Sequence, residues 1–138
     1  MNKYNSEGYY DPTAYEALTA IEQEAKKLHA FRPVVYICSP LAGDMEANLE
    51  KARRYCRFAV DTGYVPIAPH LLFPQFMNDS DTAERDLALF MDLVLLSKCA
   101  ELWVFGEKVS RGMGIELEKA RQKRKTVRFF TEQMEEIS

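Results

Sequence analysis

The chain has 138 residues, 47% of them hydrophobic, which is enough for one domain with a substantial core and too few for two comfortable ones. Its 18 basic and 21 acidic residues give a net charge of −3, so no global field recruits nucleic acid or an anionic membrane surface, and any phosphate recognition has to be local. Three cysteines, Cys38, Cys56 and Cys99, stand in apolar contexts without C-x-x-C spacing, which argues against a disulfide framework and a zinc site and fits a reduced cytoplasm.

The N-terminus, MNKYNSEGYYDP, lacks an apolar signal core, and no uninterrupted apolar run approaches roughly 18 residues, so a cytoplasmic protein without a membrane partner is expected. Asp11 followed by Pro12 reads as an N-cap with proline at the first helical position, opening a helix to about Leu28. Its apolar positions Tyr15, Leu18, Ile21, Ala25 and Leu28 form one stripe. Together with Tyr9 and Tyr10 they are more apolar than a free arm needs, and a homodimer or larger homo-oligomer is expected. Residues 1–31 are therefore set apart as an arm and helix, ahead of a domain over 32–138.

VVYIC at 34–38 is a continuous apolar run of the kind found in strands buried on both faces, and it ends in the loop SPLAGD. Met45, Leu49, Ala52, Cys56, Ala59 and Val60 mark an amphipathic helix that stops before Gly63. Tyr64 to Ala68 supplies a second strand. The stretch 69–82, PHLLFPQFMNDSDT, is longer than a connection requires and reads as a lid or pocket wall. A helix over about 83–98 is apolar on most sides and should be well covered, which makes Asp92 in its middle an unusual resident. Strand three is Leu102 to Phe105, a helix follows over about 113–124, and strand four is Thr126 to Phe130. The run RQKRK at 121–125 places cations at that helix's C-terminus, as its dipole favours.

Strands alternating with helices imply a three-layer, Rossmann-like (flavodoxin-like) α/β fold, with a parallel sheet of about four strands in the order 2-1-3-4 and helices on both faces. The ligand crevice of such a sheet lies at the carboxyl ends of strands one and three, where the winding reverses. SPLAGD and GEKVSRGMG meet there. Ser110 and Arg111 beside the following helix start suit an anion. Glu116, in what the spacing makes that helix's first turn, reads either as a solvated acid complementing the dipole or as the working group. Asp92 comes from a helix whose start faces the same crevice. It reads either as a buried acid satisfied by backbone N–H groups or Arg85, or as Glu116's partner. Two carboxylates near one sugar carbon serve glycosyl transfer, one attacking or stabilising the anomeric centre and the other managing protons. His70, directly after strand two, contacts a base or serves as a structural hydrogen bonder. Cys38 lacks an activating base and reads as an inert thiol.

VYICSPLAGD with Asn48, YVPIAPH, MDLVLLSKCAELWVFG and SRGMGIELEKA together resemble the nucleoside 2-deoxyribosyltransferase superfamily over about residues 34–130. The most specific part is G-x-x-x-E-[LI]-x-x-A, met by Gly112, Glu116, Leu117 and Ala120. The resemblance implies that Glu116 is the nucleophile and that Asp92 is its partner. It also implies that Tyr36, Ser39, Pro40 and Gly43 line the sugar or phosphate side, and that Ser110 is the phosphate-binding serine of the deoxynucleoside monophosphate N-glycosidase branch. With His70, Arg111, Gly112 and Met113 these make the expected substrate-binding set. No metal or organic cofactor is implied. The partner is a small nucleoside or nucleotide, and the neighbours that complete a site in this superfamily again imply a homo-oligomer. Ala100 and Glu118 depart from the pattern, replacing an aspartate before strand three and a glycine after the nucleophile. A competing reading is a nucleotide-binding module without catalysis.

Overall fold

A computed structural model of the chain describes residues 12–28 and 31–137. It divides into two compact units, Met1–Arg32 and Pro33–Ser138. In the first, α1 spans Pro12–Leu28. Leu18 and Ile21, from the stripe seen in the sequence, are 47% and 64% exposed. Tyr9, Tyr10 and the Asp11 cap lie outside the described residues, as do the side chains of Ala25 and Leu28.

The second unit runs β1 (Val34–Cys38), α2 (Met45–Thr62), β2 (Val65–Ile67), two short 3-10 turns (Pro69–Leu71 and Phe73–Gln75), α3 (Thr82–Ser97), β3 (Glu101–Phe105), α4 (Arg111–Gln122), β4 (Thr126–Phe130) and β5 (Glu136–Ile137). The sheet order is β2-β1-β3-β4-β5. The first four strands pair in parallel, with Tyr36 opposite Leu102 and Trp103 opposite Arg128. The expected order 2-1-3-4 holds, and a fifth strand adds to it: β5 lies antiparallel to β4 through Phe129↔Ile137 and Phe130↔Glu136.

Alternation along each strand sends side chains to two separate cores. Val35, Ile37, Trp103, Phe105 and Phe130 meet Tyr55 and Ala59 of α2 on one face. On the other face Tyr36, Cys38, Leu102 and Val104 meet Leu96 of α3 and Met113 and Ala120 of α4. Tyr55 stacks on Phe105 with centroids 4.1 Å apart. The Arg128 guanidinium lies 4.8 Å over the Trp103 ring and bonds both oxygens of Glu136, at 2.9 and 2.7 Å.

Helix ends follow their caps. Asp44 and Asp81 accept from the first-turn N–H groups of α2 and α3. Gly63, at φ 98°, closes α2 by donating to Ala59 and Val60 carbonyls. A Cβ there would meet nothing within 4 Å, so the cost of Gly63→Ala is conformational alone. A loss of about 1 to 2 kcal/mol is expected by urea unfolding.

Two expectations need correction. Helix α4 begins at Arg111, because the Ser110 hydroxyl accepts from Met113 N at 3.3 Å and caps it there. Glu116 therefore sits in the second turn, and no acid occupies the first. Helix α3 is not well covered: the face opposite the sheet leaves Leu87, Phe90 and Val94 at 48%, 63% and 41% exposure. No described helix is long and apolar enough to cross a membrane.

Candidate active site

β1 places Tyr36 and Cys38 on the face covered by α3 and α4, and both reach the same carboxyl group. The Tyr36 hydroxyl donates to Glu116 Oε2. The Cys38 thiol lies 3.7 Å from Oε1 and 3.9 Å from the Met113 carbonyl. Glu116 is only 2% exposed, so it is not the solvated first-turn acid that one reading allowed. Burial pushes its carboxyl up to about 7, against the opposing pull of the Tyr36 and Cys38 bonds. Burial first, and then Glu116's charge, hold the Tyr36 hydroxyl and Cys38 thiol well above their usual values, so both keep their protons and act as donors.

Asp92 is 8% exposed in the middle of α3. Its carboxyl is pushed up to about 8, first by burial and then by the charge of Glu116. Arg85 does not satisfy it, since the Arg85 Nε donates to the Asp79 carbonyl instead. Among the described residues neither acid has a cationic partner. The charge of Glu116 thus opposes ionisation of Asp92, so Glu116 accepts hydrogen bonds while burial and that charge favour the protonated form of Asp92.

A cavity of about 290 Å³ opens in front of them. Asp92, His70, Arg111 and Gly112 from the expected set stand on its wall. The 69–82 stretch contributes Phe73, Pro74 and Met77, in keeping with a pocket wall. Glu116, Tyr36, Ser39 and Met113 lie behind that wall and are buried. Pro40, Gly43 and Ser110 are not part of it either. Gly43 takes φ 94° in the loop before α2, whose Leu41 and Ala42 carbonyls are held by the Asn48 amide. The two departures from the sequence pattern also stand apart: Ala100 is at the amino end of β3, and Glu118 lines an outer groove.

His70, on the cavity wall, has its Nε2 2.9 Å from the Ser39 carbonyl. Burial lowers its pKa, so the ring is neutral, and the contact assigns the proton to Nε2. The Ser39 hydroxyl is buried without a hydrogen-bond partner among the described residues. A buried hydroxyl left unpaired costs on the order of 1 to 3 kcal/mol of stability. Sequence reasoning missed the Cys38–Glu116 contact. The signal available was strand alternation, which puts Tyr36 and Cys38 on one face. Among the described residues, no group of three or more histidine, cysteine or acidic side chains stands where it could hold a metal ion.

Comparison with known proteins bears on the fold and the family. No curated protein matches the sequence. Among solved structures the chain is similar to the 2-deoxyribosyltransferase from the psychrotolerant bacterium Bacillus psychrosaccharolyticus, with TM-score 0.60, 18% identity and coverage of 76% of this chain and 77% of that one. It is also similar to the 2-deoxyribosyltransferase of Leishmania mexicana (TM-score 0.53, 15% identity) and to a conserved protein from Enterococcus faecalis V583 (TM-score 0.51, 16% identity). Each of these two comparisons covers 72% of this chain and 64% of the other, so the chain spans somewhat under two thirds of their length. At these identities the likeness establishes the fold. The model of the domain of unknown function DUF7768 matches residues 33–130, most of the chain. The chain belongs to the DUF7768 family, and its fold is that of the 2-deoxyribosyltransferases.

Proposed function

We propose that this protein cleaves or transfers at the N-glycosidic bond of a nucleoside or nucleoside 5′-monophosphate, with Glu116 as nucleophile and Asp92 as proton-handling partner. The observation that supports the reading is the pair of buried carboxyl groups without a cationic partner among the described residues, Glu116 bonded to Tyr36 and Cys38 of β1 and Asp92 on a cavity wall. In the proposed step a Glu116 oxygen bonds to the anomeric carbon as the bond to the base nitrogen breaks. That electron pair stays with the base, which takes the Asp92 proton. Water or a second base then attacks the same carbon, gives its proton back to Asp92 and releases Glu116 as the carboxylate. Resemblance to the deoxynucleoside monophosphate N-glycosidase branch supports the nucleotide over the nucleoside. The protein is read as a homo-oligomer acting on a small molecule.

Glu116 is buried and does not line the cavity, so attack requires the carboxyl to leave its bond to Tyr36 or the wall to part. That same burial favours the second reading, a module that binds a nucleotide and releases nothing. Chromatography of nucleosides and their 5′-monophosphates after incubation with the protein separates the two. Free nucleobase supports the enzyme, and unchanged substrate despite measurable binding supports the module.

Phosphate recognition is tested separately. Arg111 is exposed on the cavity wall at the start of α4, so monophosphates should bind at least about tenfold more tightly than the matching nucleosides. Arg111→Ala should remove most of that difference and Ser110→Ala less, because the Ser110 oxygen already caps the helix. Equal affinities for the two substrate forms by calorimetry would reject the assignment.

A further inference from the structure

The two oxygens of Glu116 are held by donors of unequal strength. Oε2 accepts from the Tyr36 phenol, while Oε1 faces the Cys38 thiol at 3.7 Å. Alternation along β1 puts both donors on one face, roughly 7 Å apart along the strand, so they approach the carboxyl from two sides. A phenol is a good donor and a thiol a weak one. Oε1 is therefore the oxygen that is easier to release.

The thiol also has a second acceptor. Its sulfur lies 3.9 Å from the Met113 carbonyl, three residues before Glu116 on α4. With one proton and two acceptors in reach, it satisfies one of them at a time. A helical carbonyl that accepts from the N–H four residues on keeps a second lone pair, which is what the thiol needs. Letting go of Oε1 thus leaves the proton with a partner. That matters where Cys38 is fully buried and no water can take over, because a stranded donor costs stability. The Tyr36 hydroxyl has no such alternative: among the described residues its hydrogen-bond partner is Glu116.

We propose that Cys38 is a positioning residue for Glu116, its single thiol proton steadying Oε1 in the resting site and passing to the Met113 carbonyl as that oxygen bonds to the sugar carbon. This role rests on the reading of Glu116 as nucleophile and names which of its oxygens reacts. Oε2 stays on Tyr36 throughout, so the wall parts and the phenol bond is kept. The thiol neither loses its proton nor bonds to the substrate. It gives up one weak hydrogen bond and makes another.

Infrared spectroscopy reads the contact without any turnover, because the S–H stretch falls in a window free of other protein bands. The groups that face Glu116 are Tyr36 and Cys38 from β1 and Asp92 from α3. Of the three thiols Cys38 alone is influenced by a carboxyl group; Cys56 is shifted by burial and Cys99 by burial and Lys125. One S–H band should therefore move to lower frequency as pH rises through the Glu116 titration near 7, and in Glu116→Gln it should stay still. In the adduct with a slow-reacting fluorinated deoxyribosyl substrate that band should remain below the position of a free thiol. No moving band in the wild type, or one that still moves in Glu116→Gln, overturns the contact with Oε1. A free-thiol band in the adduct overturns the hand-over to Met113.

The pH dependence of base release tests the consequence. A hydrogen bond to the ionised carboxylate favours that form, so the acid limb of kcat should move down in Cys38→Ser, whose hydroxyl donates more strongly, and up in Cys38→Ala, by about half to one pH unit each. The plateau of kcat in Cys38→Ser should fall about five- to tenfold with KM unchanged, since Oε1 is then held too firmly. A side chain that only fills space would move neither limb. Base release with the limbs unmoved overturns the role of Cys38 alone. A wild type that releases no base overturns the nucleophile and this role together, and variants too unstable to assay leave the infrared result on the wild type and Glu116→Gln to decide.

Discussion

Glu116→Gln is expected to abolish nucleobase release while leaving substrate binding intact. Glutamine preserves the length of the side chain and still accepts from the Tyr36 hydroxyl, so the cavity and its wall should not change. It removes the negative charge that bonds to, or stabilises, a cationic sugar carbon. Groups acting as a catalytic unit typically supply several powers of ten in rate, so a loss of about a thousandfold or more in kcat is anticipated. Asp92→Asn should fall short of that, because an amide can still orient its neighbour but cannot deliver the proton. Intact mass spectrometry with a slow-reacting fluorinated deoxyribosyl substrate gives the sharper result: the adduct should map to the peptide containing Glu116. An adduct on Asp92 or Cys38, or a loss of only a few-fold in Glu116→Gln, removes Glu116 from the role.

The same two carboxyl groups should make the native state prefer low pH, whatever the protein catalyses. In the folded chain Glu116 stands near 7 and Asp92 near 8, both above the ordinary carboxyl values of 4.5 and 3.8. Between those limits the native state holds protons that the unfolded chain releases, so the contribution of these groups to stability falls as pH rises. It is fully present below about pH 4 and lost once pH passes through 7 to 8. At about 1.4 kcal/mol per pH unit, the Glu116 displacement alone is worth on the order of 3 kcal/mol. The Asp92 share overlaps with it, because part of its displacement is the charge of Glu116. Glu116→Gln and Asp92→Asn should therefore unfold at higher urea than the wild type at pH 8, by roughly 2 to 3 kcal/mol each, with the gap closing at pH 4. A gap that is the same at both pH values would mean that neither carboxyl is held neutral by the fold.

The fold was legible because its signals are local. The run VVYIC, the Gly63 stop and the alternation of strands with amphipathic helices carry the β2-β1-β3-β4 order, and from it the crevice at β1 and β3. What escaped was either too short or too distant. β5 has two residues, too few to show any alternation, and its pairing is decided by Arg128 and Glu136 across a turn. The early start of α4 escaped because Gly112 and Gly114 read as loop, whereas the Ser110 cap outweighs their poor helix propensity. The donors to Glu116 lie 80 and 78 residues away in the chain, so only the assembled sheet brings them together. The poor cover of α3 has another cause: composition records how apolar a helix is, and cannot say whether anything packs over its far side.

The short β5 strand bears on how copies of the chain avoid one another. A sheet ends in two rows of backbone N–H and C=O groups that will pair with any extended segment, which is how strands recruit neighbours into aggregates. Here one end is β2, only three residues long and carrying Pro66, which has no N–H to offer. At the other end β5 occupies the open side of β4, and the Arg128–Glu136 pair holds a charged residue on the outermost strand. Each end of the sheet is thus short or partly covered by the chain's own residues, β5 covering Phe129 and Phe130 on the outer side of β4. Deleting residues 135–138 would reopen the β4 side without touching either core helix layer, and a chain so shortened should gain thioflavin-binding aggregates while its α-helical circular dichroism persists.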